Sequence, residues 1–118
     1  MTAEIELAMQ QQALLMRYTW QVEDEPQDGL FVLNQLDDVV AGYWFDSWHM
    51  ANSSMAMTGA KSDGGLSVRG TYPTSDGPDW GWRILLQPAA NGRLILRMFN
   101  ITPAGDEELA VDADLARI

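Results

Sequence analysis

Apolar and polar residues alternate in short runs along most of the chain. The clearest run follows Asp79, where Trp80, Trp82, Ile84 and Leu86 share one side and Gly81, Arg83, Leu85 and Gln87 share the other. A period of two is typical of a β-strand with one buried face, because successive side chains of a strand point to opposite sides. The pattern therefore predicts a half-buried strand.

Two further runs near the end of the chain show the same period. The dipeptide Asn91-Gly92, which favours a two-residue hairpin turn, leads into an alternating run with Leu94, Leu96 and Met98 on one side. In the last run the apolar residues lie opposite acidic ones, with Leu109, Val111, Ala113 and Leu115 against Glu108, Asp112 and Asp114. This arrangement predicts a strand that faces the core on one side and solvent on the other.

Turn-forming residues separate the remaining runs. They include Asp28-Gly29, the stretch 34–38, Asp63-Gly64 and Asp76-Gly77, and the runs between them include 30–33, 53–58 and 66–70. Short strands at regular spacing predict an antiparallel meander. We therefore expect an all-β fold that forms a barrel or a strongly curved half-barrel, as one domain over residues 1–118.

The N-terminal segment gives two conflicting signals. Residues 3–16 are rich in Ala, Glu, Leu, Met and Gln, which favours a helix. Yet Ile5 and Leu7 alternate with Glu4 and Glu6, and the same period continues later from Leu14 onward. We favour two strands, and an α+β fold with an N-terminal helix is the alternative.

The stretch from Gly42 to Met50 concentrates aromatic residues, one carboxylate and the single histidine. If a strand runs from about Val39 to Met50, Trp44, Asp46 and Trp48 share the inward face, while Tyr43, Phe45 and His49 point outward. A carboxylate between two indoles is either a polar contact for a ligand or a group satisfied by internal donors.

Many of the predicted inward positions carry large aromatic or thioether side chains. Such a lining suits an apolar ligand, although the same residues would also describe a filled core. The candidate ligand-binding residues are Tyr18, Trp20, Trp44, Asp46, Trp48, Met55, Met57, Trp80, Trp82 and Met98.

Charge and composition exclude several classes of partner and location. Seventeen acidic residues against seven basic ones give a net charge of −10, which repels nucleic acid and anionic membranes. The chain has no Cys, and its first residues include Glu4 and Glu6 where a signal peptide would carry bases. We expect a soluble cytoplasmic protein without a nucleic-acid or membrane partner.

The sequence contains no recognisable catalytic motif. His49 has no Cys or second His with which to form a metal site, and a heme held by this single His is a weaker alternative. Strand alternation would also send Asp46 to the face opposite Ser47 and His49, which argues against a catalytic triad. We therefore assign no catalytic residue, metal or cofactor.

Several segments together resemble a known family. They are Tyr43–Ser47, Met55–Gly59, Val68–Tyr72 and Arg97–Phe99, and they resemble the bacterial domain of unknown function family fifteen seventy-nine. The resemblance implies a lipocalin-like, calycin-type barrel. Members usually begin with further strands that carry a Gly-x-Trp element, which this chain lacks ahead of the similar part. We therefore expect a barrel that does not close completely. We also expect a homodimer that covers the open side.

These observations lead to two functional hypotheses. The first is a binding module for a small hydrophobic ligand in a Trp-lined barrel. The alternative is a structural or interaction protein with a filled core, which acts through a dimer or edge surface. No reaction is assigned, so an enzyme is the less favoured possibility.

Overall fold

The computed structural model describes residues 2–10, 12–50 and 52–117, and in these ranges the chain forms a closed barrel of nine strands. The strands are β1 (Thr2–Ala8), β2 (Ala13–Val22), β3 (Glu25–Leu36), β4 (Val39–Asp46), β5 (Met55–Ser62), β6 (Gly65–Thr74), β7 (Gly77–Pro88), β8 (Leu94–Ile101) and β9 (Glu107–Arg117). A short 3-10 turn, Ala90–Gly92, lies between β7 and β8. The all-β class and the barrel are confirmed, and the architecture agrees with a lipocalin-like barrel. Among the described residues, no helix is long and apolar enough to cross a membrane.

The N-terminal segment forms β1 and β2, so the two-strand prediction is confirmed and the N-terminal helix is wrong. Each strand pairs antiparallel with the next along the chain. Because nine is an odd number, β9 runs in the same direction as β1, and the seam between them is parallel. It consists of the pairs Thr2 with Ala116 and Ala3 with Arg117. The barrel is therefore closed, and the expectation of an incomplete barrel is wrong.

The barrel has two different ends. The turns β1–β2, β3–β4, β5–β6 and β7–β8 lie at one end, which we call the open end. The other turns lie at the opposite end, which we call the closed end, and they include the segment between Asp46 and Met55. Several of the tight turns use left-handed backbone, as at Glu23 and Asp24 with φ of 50° and 68°. Such turns match the twist of the strands that they join.

One predicted turn is a strand instead. Asp28-Gly29 lies within β3, where Gly29 pairs with Tyr18 of β2 on one side and with Asp46 of β4 on the other. The physical reason is space, because a Cβ at Gly29 would lie 2.0 Å from Cζ of the Tyr18 ring. The glycine therefore makes room for an aromatic ring within a strand.

The predicted inward face of β9 is also interrupted. Met98 pairs with Val111 but Phe99 pairs with Leu109, so β9 contains one extra residue at this point. A β-bulge of this kind reverses the faces on one side of it. Leu109 is consequently 56% exposed, whereas Ala113 and Leu115 are buried as predicted.

Candidate functional site

Strand β4 ends at Asp46, four residues earlier than the alternation predicts. The carboxylate oxygen Oδ1 of Asp46 accepts hydrogen bonds of 2.9 Å from the backbone N–H groups of Trp48 and His49. The carbonyl of Asp46 accepts a further bond of 3.0 Å from the N–H of Met50. An aspartate that binds the backbone ahead of it in this way forms a turn, so the strand cannot continue.

This turn reverses two of the predicted side-chain directions. Trp48 is 56% exposed and does not join the interior, while His49 points into the barrel. Both predictions assumed an extended strand as far as Met50, and both are wrong for that reason. Tyr43 and Phe45, which precede the turn, point outward as predicted.

The imidazole of His49 lies among three indoles at the closed end. It stacks on Trp20 with ring centroids 5.2 Å apart, and it lies 5.2 Å from Trp82 and 5.8 Å from Trp44. Trp44 and Trp82 stack on each other at 5.6 Å. Together with Tyr18 these residues form an aromatic cluster at the closed end, and we call the group Tyr18, Trp20, Trp44, His49 and Trp82 the aromatic plug.

Asp46 is buried beneath the plug and fully engaged. The Tyr18 hydroxyl donates a 2.6 Å hydrogen bond to Oδ2, and it accepts a 2.9 Å bond from Nε1 of Trp44. His49 Nδ1 lies 3.2 Å from Oδ1. Because every lone-pair direction of a buried carboxylate needs a donor, this network makes Asp46 an internal anchor. The interpretation as a group satisfied by internal donors therefore fits the geometry better than a free ligand contact.

The network changes the acidity of both oxygen-bearing groups. Burial alone would raise the pKa of Asp46, but the hydrogen bonds from His49, Tyr18 and the backbone stabilise the anion and bring its pKa below the usual value. Burial, followed by the nearby Asp46 charge, raises the pKa of Tyr18 far above its ordinary range. The pair is thus a neutral phenol that donates to a carboxylate.

Asp46 and His49 are in contact, so the argument that alternation separates them is wrong. Ser47 lies elsewhere, because its hydroxyl donates to Oε1 of Gln27 at 2.7 Å and accepts from the N–H of Asp28 at 2.9 Å. Among the described residues, the hydrogen-bond partner of the His49 imidazole is Asp46, and no Ser or Thr hydroxyl is bonded to it.

The other candidate residues lie mostly inside the barrel. Met55, Met57 and Met98 are buried, and Trp80 is half-buried near the closed end. The indole N–H groups of Trp20 and Trp82 are buried without a partner in the described chain. Apart from Trp48, the sequence therefore identified an aromatic interior correctly, and the structure packs Trp20, Trp44 and Trp82 around His49.

A cavity of about 340 Å³ lies at the open end. Its walls are mainly aliphatic, and they include Leu14, Met16, Leu33, Val40, Leu66 and Leu86. None of the ten candidate residues lines it. The sequence signal that could have identified this end is the change, on the inward positions of successive strands, from aromatic residues near one end to aliphatic residues near the other.

The rim of the cavity is partly apolar and exposed. Leu7 lines the cavity and is 58% exposed, and Met9, which is 74% exposed, lies in the β1–β2 turn at the same end. Exposed apolar side chains around a concave opening are typical of a binding site.

Within residues 2–10, 12–50 and 52–117, no group of three His, Asp or Glu side chains could hold a metal ion.

Comparison of the chain with protein-family models, with curated proteins and with solved structures gave no significant match. The fold and the geometry of the two ends are therefore the basis for a functional assignment.

Proposed function

We propose that this protein binds a small apolar molecule in the cavity at the open end of its barrel. The observation that carries the proposal is the cavity itself, which is lined by aliphatic side chains from successive strands and opens beside the exposed Leu7. Its volume of about 340 Å³ lies within the range of about 300–1,000 Å³ that is typical of small-molecule sites.

The proposed site does not include the aromatic residues. The aromatic plug is closely packed around His49, and its Tyr18 and Trp44 are almost completely buried. Opening it would break the hydrogen bonds of Asp46, whereas a ligand at the open end displaces only poorly bound solvent from apolar walls. In this account the plug is the rigid base of the barrel and the aliphatic half is the binding compartment.

A neutral fluorescent probe tests this function directly. N-phenyl-1-naphthylamine, which fluoresces strongly in apolar surroundings, is expected to bind the wild-type protein with saturation at one site. Leu66→Trp should weaken binding about tenfold or more, because Leu66 lines the cavity and a larger side chain would fill it. Leu85→Trp is the matched control, since Leu85 lies on the adjacent strand but on its outward face.

Equal binding by the two variants would contradict the proposed site. Absence of saturable binding to the wild-type protein, with a panel of neutral apolar probes, would contradict the function itself. Circular dichroism and thermal unfolding of both variants separate loss of the site from loss of the fold.

A second candidate function is self-association, which the exposed aromatic residues favour. Tyr43, Phe45 and Trp48 are 54%, 41% and 56% exposed on the outside of β4 and the following turn. Half-buried Leu30 and Val32 continue this apolar surface on β3. The partner in this proposal is a second copy of the chain, and the homodimer stays a prediction. Because the barrel is closed, the two copies would associate through this outer face and not through an open edge. Sedimentation of wild type against Tyr43→Ser/Phe45→Ser tests it, and an unchanged monomer in both would contradict it.

The finer family assignment is also a proposal. The closed barrel supports membership of the bacterial family fifteen seventy-nine through the lipocalin-like fold that the resemblance implies. The cytoplasmic location stays a prediction from the sequence.

A further inference from the structure

The cavity is lined by one positively charged side chain and by no negatively charged one. Most lining residues are apolar or Gly, and the polar ones are Gln12, Asn34, Gln35 and Lys61. No carboxylate belongs to the lining, although the chain carries seventeen acidic residues. Lys61 is therefore the charged residue of this cavity, and it is the single lysine of the sequence.

Lys61 lies on the inward side of β5. Met55 and Met57 precede it at two-residue spacing and are buried in the barrel, so alternation places Lys61 on the same side at the open end. It pairs across the sheet with Leu66, which also lines the cavity. A lysine in this position can bury its methylene stem along the apolar wall and keep its ammonium group at the mouth.

Three of the arginines are engaged differently, whereas the exposed Arg17 and Arg69 form no ion pair within the described residues and do not line the cavity. Arg83, Arg93 and Arg97 form ion pairs with Glu107, Asp114 and Asp112 on the outside of β7–β9. Lys61 forms no ion pair or hydrogen bond in the part of the chain that the structure describes. Asp63 in the adjoining turn is exposed and does not line the cavity.

We infer that the ligand is a single-chain amphiphile with an anionic headgroup, such as a fatty-acid carboxylate, whose headgroup binds Lys61 at the mouth. This inference rests on the proposed function and adds the chemical class of the ligand. The aliphatic walls accept the alkyl chain, and the ammonium group at the rim supplies the charge that a carboxylate needs when part of its hydration is lost.

The net charge of −10 does not oppose this assignment at close range. Salt screens exposed charges over about 10 Å at an ionic strength of 0.1 M. Asp37, Asp38 and Asp63 lie in turns at the same end, but they are exposed and do not line the cavity, so Lys61 is the charged residue that borders the ligand.

Three ligands with the same chain and different headgroups test the inference by calorimetry: decanoate, decanol and decyltrimethylammonium. Wild type should bind decanoate about three- to tenfold more tightly than decanol, and the cation most weakly, as expected for one partly exposed ion pair. Lys61→Met should remove the preference for decanoate over decanol, measured as the ratio of the two affinities within this variant. Arg17→Met is the control, because it changes the net charge equally on the outward side of β2.

The outcomes separate this inference from the function beneath it. Equal binding of decanoate and decanol to wild type, or a preference that persists in Lys61→Met, would overturn the anionic headgroup and leave the apolar site intact. Failure of all three ligands to bind would overturn both. Lys61→Glu provides a second check, since it should reverse the preference in favour of decyltrimethylammonium.

Discussion

Tyr18 reaches Asp46 across Gly29. The three residues lie side by side on β2, β3 and β4, and the Tyr18 hydroxyl spans the middle strand to donate a 2.6 Å hydrogen bond to the carboxylate. The missing side chain of Gly29 leaves the space that the ring uses. Tyr18, Gly29 and Asp46 therefore connect the aromatic plug, strand β3 and the turn after β4.

Gly29→Ala is expected to destabilise the protein by about 2–4 kcal/mol, because its Cβ would overlap the Tyr18 ring and displace the hydroxyl from Asp46. Urea unfolding monitored by far-UV circular dichroism measures this change. In a Tyr18→Leu background the same substitution should have a much smaller effect. Additive effects of the two substitutions would show that the ring is not the cause.

Tyr18→Phe isolates the hydroxyl group. It removes a donor to Asp46 and an acceptor for Nε1 of Trp44 while it preserves the ring. We expect a loss of about 1–3 kcal/mol in the free energy of unfolding, since two buried polar groups lose a partner. Tyr43→Phe, on the exposed side of β4, is the control and should change stability by less than about 0.5 kcal/mol.

The ionisation of Asp46 should make the free energy of unfolding depend on pH. Its pKa is lower in the folded state than the ordinary value of about 3.9, so its contribution is present above about pH 4 and is lost as the pH falls through the folded pKa. Asp46→Asn should therefore be less stable than wild type at pH 7, and the difference should diminish in acid. Equilibrium unfolding at several pH values measures it. A difference independent of pH, or one matched by the exposed Asp114→Asn, would contradict the role given to the charge.

His49 and Trp48 are expected to exchange the roles that simple alternation gives them. His49→Ala removes a ring packed against Trp20, Trp44 and Trp82, and should lower stability by about 1–3 kcal/mol. Trp48→Ser on the exposed side of the turn should change stability little. Thermal unfolding of the two variants provides the comparison. A larger effect at Trp48 would contradict the turn and support a strand that extends to Met50.

The periodicity of the sequence was sufficient for the strands but not for the interruptions between and within them. Alternation from Trp80 to Leu86 needs only the period of a pleated strand, and the structure follows it. The end of β4 at Asp46 depends on hydrogen bonds between a side chain and the backbone, and the reversal at Leu109 depends on a bulge opposite Phe99. Neither effect leaves a trace in hydrophobic period.

The candidate site required long-range information. Asp46 and the aromatic candidates other than Trp48 were correctly expected inside, yet the packing of the aromatic plug depends on the turn that inserts His49 among the indoles. The cavity depends on closure, since Leu14, Leu66 and Leu86 come together only when the sheet forms a barrel. Alternation identified most of the inward positions, with Trp48, His49 and Leu109 as exceptions, but it could not identify the end at which the cavity lies.

The most direct test of the apolar site is an NMR titration with decanol that observes Leu methyl groups and Trp indole N–H groups together. The account predicts shifts for the methyl groups of Leu14, Leu33, Leu66 and Leu86, which line the cavity, with little change at the indoles of Trp44 and Trp82. Shifts confined to the indoles would place the ligand in the aromatic half. Saturable binding without any shift of the cavity methyl groups would contradict the proposed site.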